Sequence, residues 1–504
     1  MTDCDVLIVG AGPTGLVLAL WLTKLGVKAR IVDKTAAPGT ASRALAVQAR
    51  TLEFYRQLDL AEAVIERAHK VPGVNLWTRG EHRARIAFED VGRGLTRFPG
   101  LWVFPQDEHE RLLIGRLSAM GVFVEREREL VGFSENADRV SATLRCADGT
   151  AESCEARFLA ACDGAHSLIR ETLGVGFPGG DYAQIFYVAD VEASGRPIDG
   201  ELHIDLDEAD ILAVFPLRGR RRARLIGTVR DERAKQAETL RFEDVSERAI
   251  THLKVRVEAT NWFSTYRVHH RVAEHFRKGR SFLLGDAAHI HSPAGGQGMN
   301  TGIGDAINLA WKLKAALDDR ASGALLDSYE IERSAFARKL VKTTDQAFAL
   351  ATAEGQFADL VRLWVAPAVI PGAFMFEAVR DLAFRTVSQI SLNYRGGPLS
   401  EGKAGSVRGG DRLPWVAANG SDNHEALSDM RWQAHVYGER HPGLAGWRSR
   451  LPIKVFPWTP QHARAGLVRD ALYLVRPDGY VGLADEAAAP DRLERYFSAR
   501  GLTP

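Results

Sequence analysis

The clearest pattern of hydrophobic and polar positions lies at the start of the chain. An apolar run at residues 6–9 ends at Gly10, apolar residues then recur at helical spacing from Leu16 to Leu22, and a second apolar run ends at Asp33. A short apolar run closed by glycine favours a strand, and a spacing of about 3.6 residues favours a helix. The pattern therefore predicts a strand–helix–strand unit.

The turn between the first predicted strand and the helix carries a G-x-G-x-x-G motif. It consists of Gly10, Gly12, Pro13, Thr14 and Gly15, with one further residue between the first two glycines. In dinucleotide-binding units the first glycine permits a tight turn, the second lets a pyrophosphate approach the backbone, and the third lets the helix pack on the strand. An acid at the end of the second strand can accept a hydrogen bond from a ribose hydroxyl. The motif predicts one dinucleotide site, and the alternative is an empty unit with a glycine-rich turn.

Two later apolar runs also end in glycine-containing loops with acidic residues. One run precedes Asp163 in "DGAHSLIR", and another precedes Gly285 and Asp286 in "GDAAHIHSPAGGQGMNTG". Glycines give up backbone entropy on ordering, and they let the backbone approach a ligand closely. Helical spacing resumes at Ile303, so "GGQGMN" is predicted at a helix N terminus, which favours negative charge. The alternative is a glycine-rich turn before a core helix.

The motifs GAGPTG, DGAHSLIR and GDAAHIHSPAGGQGMNTGIGDAINLAWKL resemble, in this order, those of single-component FAD-dependent aromatic hydroxylases, the class A flavoprotein monooxygenases. The resemblance is greatest to the branch of phenol, hydroxyphenylpropionate, and polyketide or rifamycin hydroxylases. It covers most of residues 1–345 and weakens through the middle domain and the C-terminal third. It implies an α/β protein: a Rossmann-like FAD-binding domain with an inserted antiparallel-sheet substrate domain and a C-terminal thioredoxin-like domain.

The predicted domain boundaries follow from this organisation. The FAD-binding domain is expected at 1–180 and 270–345, the substrate sheet at 181–269 with part of 76–100, a helical segment at 346–395, and the thioredoxin-like domain at 396–504. The last of the four cysteines is Cys162, so the C-terminal domain has no redox cysteines. A structural or dimerisation role is expected for that domain.

The resemblance also assigns cofactor contacts to single residues. These are Gly10, Gly12, Pro13, Thr14, Gly15, Asp33, Lys34, Arg43, Gln106, Leu130, Asp163, Gly285, Asp286, Pro293, Gly298, Met299 and Asn300. By resemblance, the glycine motif and Asp163 lie near the pyrophosphate, Asp33 near the ribose, Leu130 near the adenine and Asp286 near the ribityl chain. Arg43 and Gln106 would approach the phosphates or the ribityl chain. The flavin-activating loop would comprise Pro293, Gly298, Met299 and Asn300, next to the isoalloxazine ring.

Three further segments contain candidate functional side chains. In "ELHIDL", alternation predicts one buried face, with His203 on the other. By resemblance this sheet covers the substrate pocket, so His203 is a candidate substrate contact, and the favoured alternative is a histidine that faces solvent. The run "RGRRRAR" at residues 218–224 lies between apolar runs and is predicted to be a solvated hairpin turn. His289 and His291 lack a third ligand at a suitable spacing, so no metal site is predicted.

The composition limits the partners that the chain can have. Its 504 residues carry a formal net charge of +1, which argues against binding driven by bulk charge to nucleic acid or a membrane surface. No apolar stretch reaches the roughly 18 residues of a membrane span, and the N terminus lacks the basic region of a signal peptide. We expect a cytoplasmic protein, with a homodimer as one possible assembly. The expected partners are a small aromatic substrate, O2 and NADH or NADPH.

The predicted function is that of an FAD-dependent, NAD(P)H-consuming monooxygenase. It would hydroxylate a phenolic or polycyclic aromatic substrate through a flavin C4a-hydroperoxide, with the cofactor carrying the chemistry. Leu45 stands where the phenol-hydroxylase pattern has an aspartate, which favours a larger, more apolar substrate and leaves the general base unassigned. Two alternatives remain: a Baeyer–Villiger or epoxidising natural-product monooxygenase, and a non-catalytic flavoprotein that binds an aromatic ligand.

Overall fold

The computed structural model describes residues 3–39, 44–206, 211–229, 240–245, 247–292, 294–352, 369 and 372–504. Residues 3–178 form β1 (Cys4–Val9), α1 (Pro13–Lys24), β2 (Ala29–Val32), β3 (Ala46–Val47), α2 (Ala49–Arg56), α3 (Ala61–Arg67), β4 (His69–Val71), β5 (Gly73–Thr78), β6 (Glu81–Ala87), β7 (Leu101–Val103), α4 (Gln106–Ala119), β8 (Arg128–Glu135), β9 (Val140–Cys146), β10 (Ala151–Ala161) and α5 (Leu168–Thr172). Residues 179–352 form β11 (Gly179–Ser194), β12 (Leu202–Leu206), β13 (Ile211–Pro216), β14 (Arg222–Val229), α6 (Glu247–His252), β15 (Arg256–Val272), β16 (Arg277–Lys278), β17 (Ser281–Leu283), β18 (His289–Ile290), α7 (Gly298–Leu317) and α8 (Gly323–Thr352). The remaining elements are α9 (Glu377–Val387), β19 (Glu401–Ala404), β20 (Val407–Arg408), β21 (Ala417–Ala418), β22 (Ser421–Asp422), β23 (Gln433–Tyr437), β24 (Ile453–Phe456), α10 (Pro460–Arg464), β25 (Leu472–Val475), β26 (Val481–Asp485) and α11 (Pro490–Ala499).

The strand–helix–strand unit predicted at the N terminus lies in a seven-stranded sheet. Its main path has the order β16-β17-β10-β1-β2, and β17, β10, β1 and β2 run parallel. The carboxyl ends of parallel strands meet at one edge of a sheet, which is where such folds bind ligands. The loops that begin at Gly10, Asp33, Cys162 and Leu284 therefore lie along the same edge. The predicted α/β class with a Rossmann-like parallel sheet is confirmed.

An eight-stranded sheet forms the second layer, in the order β18-β15-β11-β14-β13-β12-β5-β6. Its neighbouring strands are antiparallel except for the parallel pair β12 and β5. One face packs as an apolar cluster that includes Trp77, Tyr187 and Leu225. The opposite face contributes Leu202 to a cluster with Leu45, a residue of the segment that leads into β3. This second face, the flavin-side face, is the one turned towards the cofactor-binding loops.

His203 is buried, so the expectation that it faces solvent is wrong. Only 2% of the residue is exposed, and its Nδ1 accepts a hydrogen bond of 3.0 Å from the indole nitrogen of Trp77. Its Nε2 lies 3.0 Å from a carboxylate oxygen of Asp199. Because its neighbour Leu202 packs with Leu45, alternation turns His203 to the opposite face of the sheet. The structure does not bring His203 to the flavin-side face.

Arg224 also departs from the prediction of a solvated hairpin. Residues 218–222 of the basic run are exposed, but Arg224 is fully buried on β14. Its guanidinium donates two hydrogen bonds to the carboxylate of Asp190, at 2.6 and 2.7 Å, and its charged carbon lies 5.8 Å from the ring centre of Trp262. Charge patterning along the sequence could not separate this paired arginine from its solvated neighbours.

The C-terminal module contains a six-stranded sheet with the order β20-β19-β26-β25-β23-β24. The turn between β25 and β26 inserts into the FAD-binding domain. Arg476 is fully buried there and donates a hydrogen bond of 2.6 Å to Glu332 of α8. The carboxylate of Asp478 accepts from the indole of Trp311, and its carbonyl accepts from Arg50. Among the described helices, none is long and apolar enough to cross a membrane.

The stability of this fold should decrease on mild acidification. Burial lowers the pKa of four histidines: His109 and His435 to about 3, and His291 and His424 to about 4. Below about pH 6.5 the unfolded chain takes up protons that the folded chain does not, so each group costs the fold up to about 1.4 kcal/mol per pH unit until its folded pKa is reached. Urea unfolding should therefore give a lower free energy at about pH 5 than at about pH 7. An unchanged free energy over that interval would contradict the burial of these rings.

Candidate cofactor and substrate site

The glycine motif has the geometry of a phosphate-binding turn. Gly10 has φ 104°, and a Cβ on Gly10 would overlap the carbonyl oxygen of Cys162. A Cβ on Gly15 would overlap the carbonyl oxygen of Gly10, so α1 approaches β1 as closely as only glycine permits. Gly12 precedes the first residue of α1, and no atom of the described residues lies within 4 Å of the position of a Cβ there. Open space at a helix N terminus fits a pyrophosphate.

Asp33 closes the other side of this turn. Its Oδ2 accepts a hydrogen bond of 2.7 Å from the backbone nitrogen of Ala11, and its Oδ1 accepts one of 2.8 Å from Thr35. Lys34 follows it and is exposed. One guanidinium nitrogen of Arg126 lies 3.6 Å from Oδ1 of Asp33. The other terminal nitrogen, Nη2, is buried and has no hydrogen-bond partner among the described residues. No sequence pattern had singled out Arg126, because only the pairing of the chain near β8 with β2 brings it to Asp33.

Gln106 and Leu130 lie on elements next to this edge. Gln106 begins α4, and its side chain accepts from the nitrogen of Ala44 and donates to Glu110 at 2.9 Å. Burial raises the pKa of Glu110, whose carboxyl had not been predicted to lie here. Leu130 is buried on β8 in the core of the FAD-binding domain. The predicted contacts Arg43 and Pro293 lie outside the described residues.

Asp163 offers a carboxylate oxygen to a ligand. Its Oδ2 lies 3.4 Å from the backbone nitrogen of Ile169, whereas Oδ1 is buried and has no hydrogen-bond partner within the described part of the chain. Burial raises the pKa of this carboxyl. Arg170 holds the loop in place, since it donates to the carbonyl oxygens of Ala165 and Ala287. An orphaned buried acceptor at the edge of the sheet fits a hydroxyl-bearing cofactor.

The loop after β17 is fixed by the buried carboxylate of Asp305. Its oxygens accept from the nitrogen of Gly285 at 3.0 Å and from Arg333 at 2.6 Å, and Nε2 of His289 lies 2.7 Å away. Burial opposes ionisation of this carboxyl, but Arg333 and His289 lower its pKa overall. His289 is thus paired with a carboxylate, and the described residues contain no group of three side chains that could hold a metal ion. Asp286 lies on the exposed side of the same turn.

The glycine-rich loop before α7 forms a bare helix N terminus. Gly295 and Gly296 have φ 76° and 62°, and a Cβ on Gly296 would lie 2.8 Å from that of Ala46. The first intrahelical hydrogen bond joins the nitrogen of Thr301 to the carbonyl of Gln297. The N–H groups of residues 298–300 therefore have no intrahelical acceptor, and they favour an anionic ligand edge.

Both polar atoms of the Asn300 side chain form hydrogen bonds within the protein. Its Oδ1 accepts from the nitrogen of Gln48 and from the hydroxyl of Thr51, at 3.0 and 2.7 Å. Its Nδ2 donates to the carbonyl oxygens of Ala46 and Gly296, both at 2.9 Å. The side chain ties the glycine-rich loop to β3, so only the backbone of Asn300 remains for a ligand.

An aromatic patch lies on the flavin-side face of the eight-stranded sheet. It consists of Tyr182, Phe186, Ile226, Tyr266 and Val268. The rings of Phe186 and Tyr266 are 5.9 Å apart. Ile226 pairs across strands with Ala213, which packs with Leu45, so the patch and Leu45 share one face. A wall of this composition suits a flat apolar ligand.

Comparisons with known proteins agree with this site. A family model described as "FAD binding domain" matches residues 3–344. The chain is 33% identical to 6-methylpretetramide 4-monooxygenase of Streptomyces rimosus, with 99% of this chain and 94% of that protein covered. It is 31% identical to rifampicin monooxygenase of Streptomyces venezuelae, with 98% and 99% covered. The solved structure of OxyS anhydrotetracycline hydroxylase from Streptomyces rimosus has a TM-score of 0.78 at 28% identity, covering 99% of this chain and 100% of that one.

The chain therefore belongs to the FAD binding domain family. The predicted resemblance to flavin-dependent aromatic hydroxylases is confirmed by these relatives and this structure.

Proposed function

We propose that this protein is an FAD-dependent monooxygenase that consumes NAD(P)H and hydroxylates a phenolic or polycyclic aromatic substrate. One observation carries the proposal: the loops of four parallel strands and the bare N terminus of α7 converge below a sheet face with an aromatic patch. One relative is named a 6-methylpretetramide 4-monooxygenase and another a rifampicin monooxygenase, which supports a polycyclic substrate.

The residues that would hold FAD follow from the fit of the site. The glycine motif would bind the pyrophosphate, Asp33 the ribose and Asp286 a ribityl hydroxyl. The N–H groups of residues 298–300 would stabilise negative charge on the isoalloxazine. FAD held by these residues would supply the chemistry of hydride acceptance and oxygen transfer. The apolar face around Leu45 would exclude water from that chemistry.

The function is tested by NAD(P)H oxidation. With FAD-loaded protein, a panel of hydroxylated polycyclic aromatics should contain members that accelerate NADH or NADPH oxidation and yield a product heavier by one oxygen. Oxygen insertion next to a ketone, or across a double bond, would favour the Baeyer–Villiger or epoxidising alternative. Binding of FAD and aromatics without any stimulated oxidation would favour the non-catalytic flavoprotein.

A further inference from the structure

His291 presents an acceptor nitrogen beside the glycine-rich loop. Its Nδ1 lies 2.7 Å from the carbonyl oxygen of Ser292, and because a carbonyl only accepts, Nδ1 carries the hydrogen. In the neutral ring, Nε2 is then an acceptor. This nitrogen is buried and has no hydrogen-bond partner among the described residues. A Cβ on Gly298 would lie 3.8 Å from it, which places Nε2 at the N terminus of α7.

The surroundings of His291 connect it to the aromatic patch. The residue follows β18, whose His289 pairs with Val272 at the edge of the eight-stranded sheet. The hydroxyl of Tyr182, a member of the aromatic patch, donates a hydrogen bond to Asp345 of α8. Asp345 in turn acts electrostatically on His291. His291 therefore lies at the N terminus of α7 and directly follows β18, which pairs with β15, the strand that carries Tyr266 and Val268 of the aromatic patch.

We propose that Nε2 of His291 accepts a hydrogen bond from a ring hydroxyl of the aromatic substrate, and so selects and positions a phenolic ring beside the flavin loop. The inference rests on the proposed function and adds a specificity-determining residue to it. A site built to receive a hydroxyl rejects an analogue that lacks one, because the buried acceptor is then left unpaired.

The electrostatics favour acceptance of a hydrogen bond over removal of a proton. Burial lowers the pKa of His291 to about 4, with His289 lowering it further and the Ser292 carbonyl and Asp345 opposing the shift. A phenol has a pKa of about 10, so full proton transfer to this ring would be unfavourable by several powers of ten. The ring stays neutral, and the acceptor is available at any pH well above 4.

The test uses FAD-loaded protein and pairs of ligands in which a methyl group replaces the donor hydrogen of the hydroxyl. The probes are 2-naphthol with 2-methoxynaphthalene, and 2-hydroxyanthraquinone with 2-methoxyanthraquinone, and their Kd values are measured from the change in flavin absorption. Wild-type protein should prefer the hydroxyl over the methyl ether by about 10-fold or more. His291→Leu should reduce this preference to within about 2-fold, and His291→Gln, whose amide oxygen accepts, should retain most of it. The exposed His275 provides the matched control, His275→Leu, which should keep the wild-type preference.

FAD itself carries donors of the same kind, namely its ribityl hydroxyls and flavin N3–H, so FAD affinity is measured in parallel. We expect His291→Leu to bind FAD within about 3-fold of wild type. A preference for the hydroxyl that survives in His291→Leu, or a loss confined to FAD affinity, would overturn the assignment of His291 and leave the proposed function standing. If wild-type protein binds none of the hydroxylated probes while other aromatics stimulate NAD(P)H oxidation, the assignment of His291 is wrong and the proposed function stands. If no aromatic binds or stimulates oxidation, both proposals fall.

Discussion

Gly12→Ala should leave the fold intact and weaken FAD binding by about 100-fold or more. The backbone of Gly12 is extended, with φ −74° and ψ 179°, so alanine is tolerated there. Among the residues that the structure describes, none lies within 4 Å of the added methyl group, which would fill the space in front of α1 that the pyrophosphate needs. Gly15→Ala should act differently, because its Cβ would collide with the carbonyl of Gly10 and separate α1 from β1.

The measurement is FAD affinity together with the free energy of unfolding of the cofactor-free protein. Gly115→Ala is the matched control: Gly115 lies exposed in α4, no atom lies within 4 Å of its Cβ position, and alanine should stabilise the helix slightly. We expect Gly12→Ala to lose affinity without losing stability, and Gly15→Ala to lose both. Wild-type FAD affinity in Gly12→Ala would refute the location of the pyrophosphate.

Arg476→Met should lower the free energy of unfolding by about 3–5 kcal/mol. The guanidinium is fully buried and donates to both oxygens of Glu332 and to the carboxylate of Asp478. Lys312 also contacts Glu332, and desolvation lowers the pKa of this lysine to about 8. Without Arg476, the buried carboxylates of Glu332 and Asp478 would keep only Lys312 as a cation that contacts Glu332. Leaving a buried charge uncompensated lowers the free energy of unfolding far more than the loss of an exposed ion pair does.

Urea unfolding of the full chain measures this effect. Arg495→Met is the control, because Arg495 forms an exposed pair with Asp491 and its loss should change stability by less than about 1 kcal/mol. Equal stabilities of the two variants would contradict the docking of the C-terminal module through the turn at Arg476. The expected result would give that module a structural role, fixing α7 and α8 behind the flavin loop.

Local patterns predicted much of the cofactor-binding edge. The roles of Gly10 and Gly15 follow from a turn and a close helix–strand contact within one short segment, so spacing alone reveals them. Packing between distant segments was not predictable in this way. Asn300 was predicted to contact the flavin, and its backbone N–H has no intrahelical acceptor, but no pattern predicted that Gln48 and Thr51, about 250 positions away in sequence, hold its side chain.

The errors on the eight-stranded sheet have one physical cause. Alternation showed that His203 and Leu202 lie on opposite faces, but it did not show that both faces are covered. His203 is therefore buried against Trp77, and Arg224 is buried with Asp190 although residues 218–222 of the same basic run are exposed. The position of Arg126 beside Asp33 likewise depends on strand pairing that no local pattern encodes.

The most direct test of the central claim is the origin of the oxygen atom in the product. The incubation contains FAD-loaded protein, NAD(P)H and an aromatic compound that stimulates NAD(P)H oxidation, under labelled O2 in ordinary water. The mass of the product is then measured by mass spectrometry. The account predicts a new hydroxyl that carries one labelled oxygen atom, with no separate flavin reductase required. An oxygen atom derived from water, or a strict dependence on an added reductase, would contradict it.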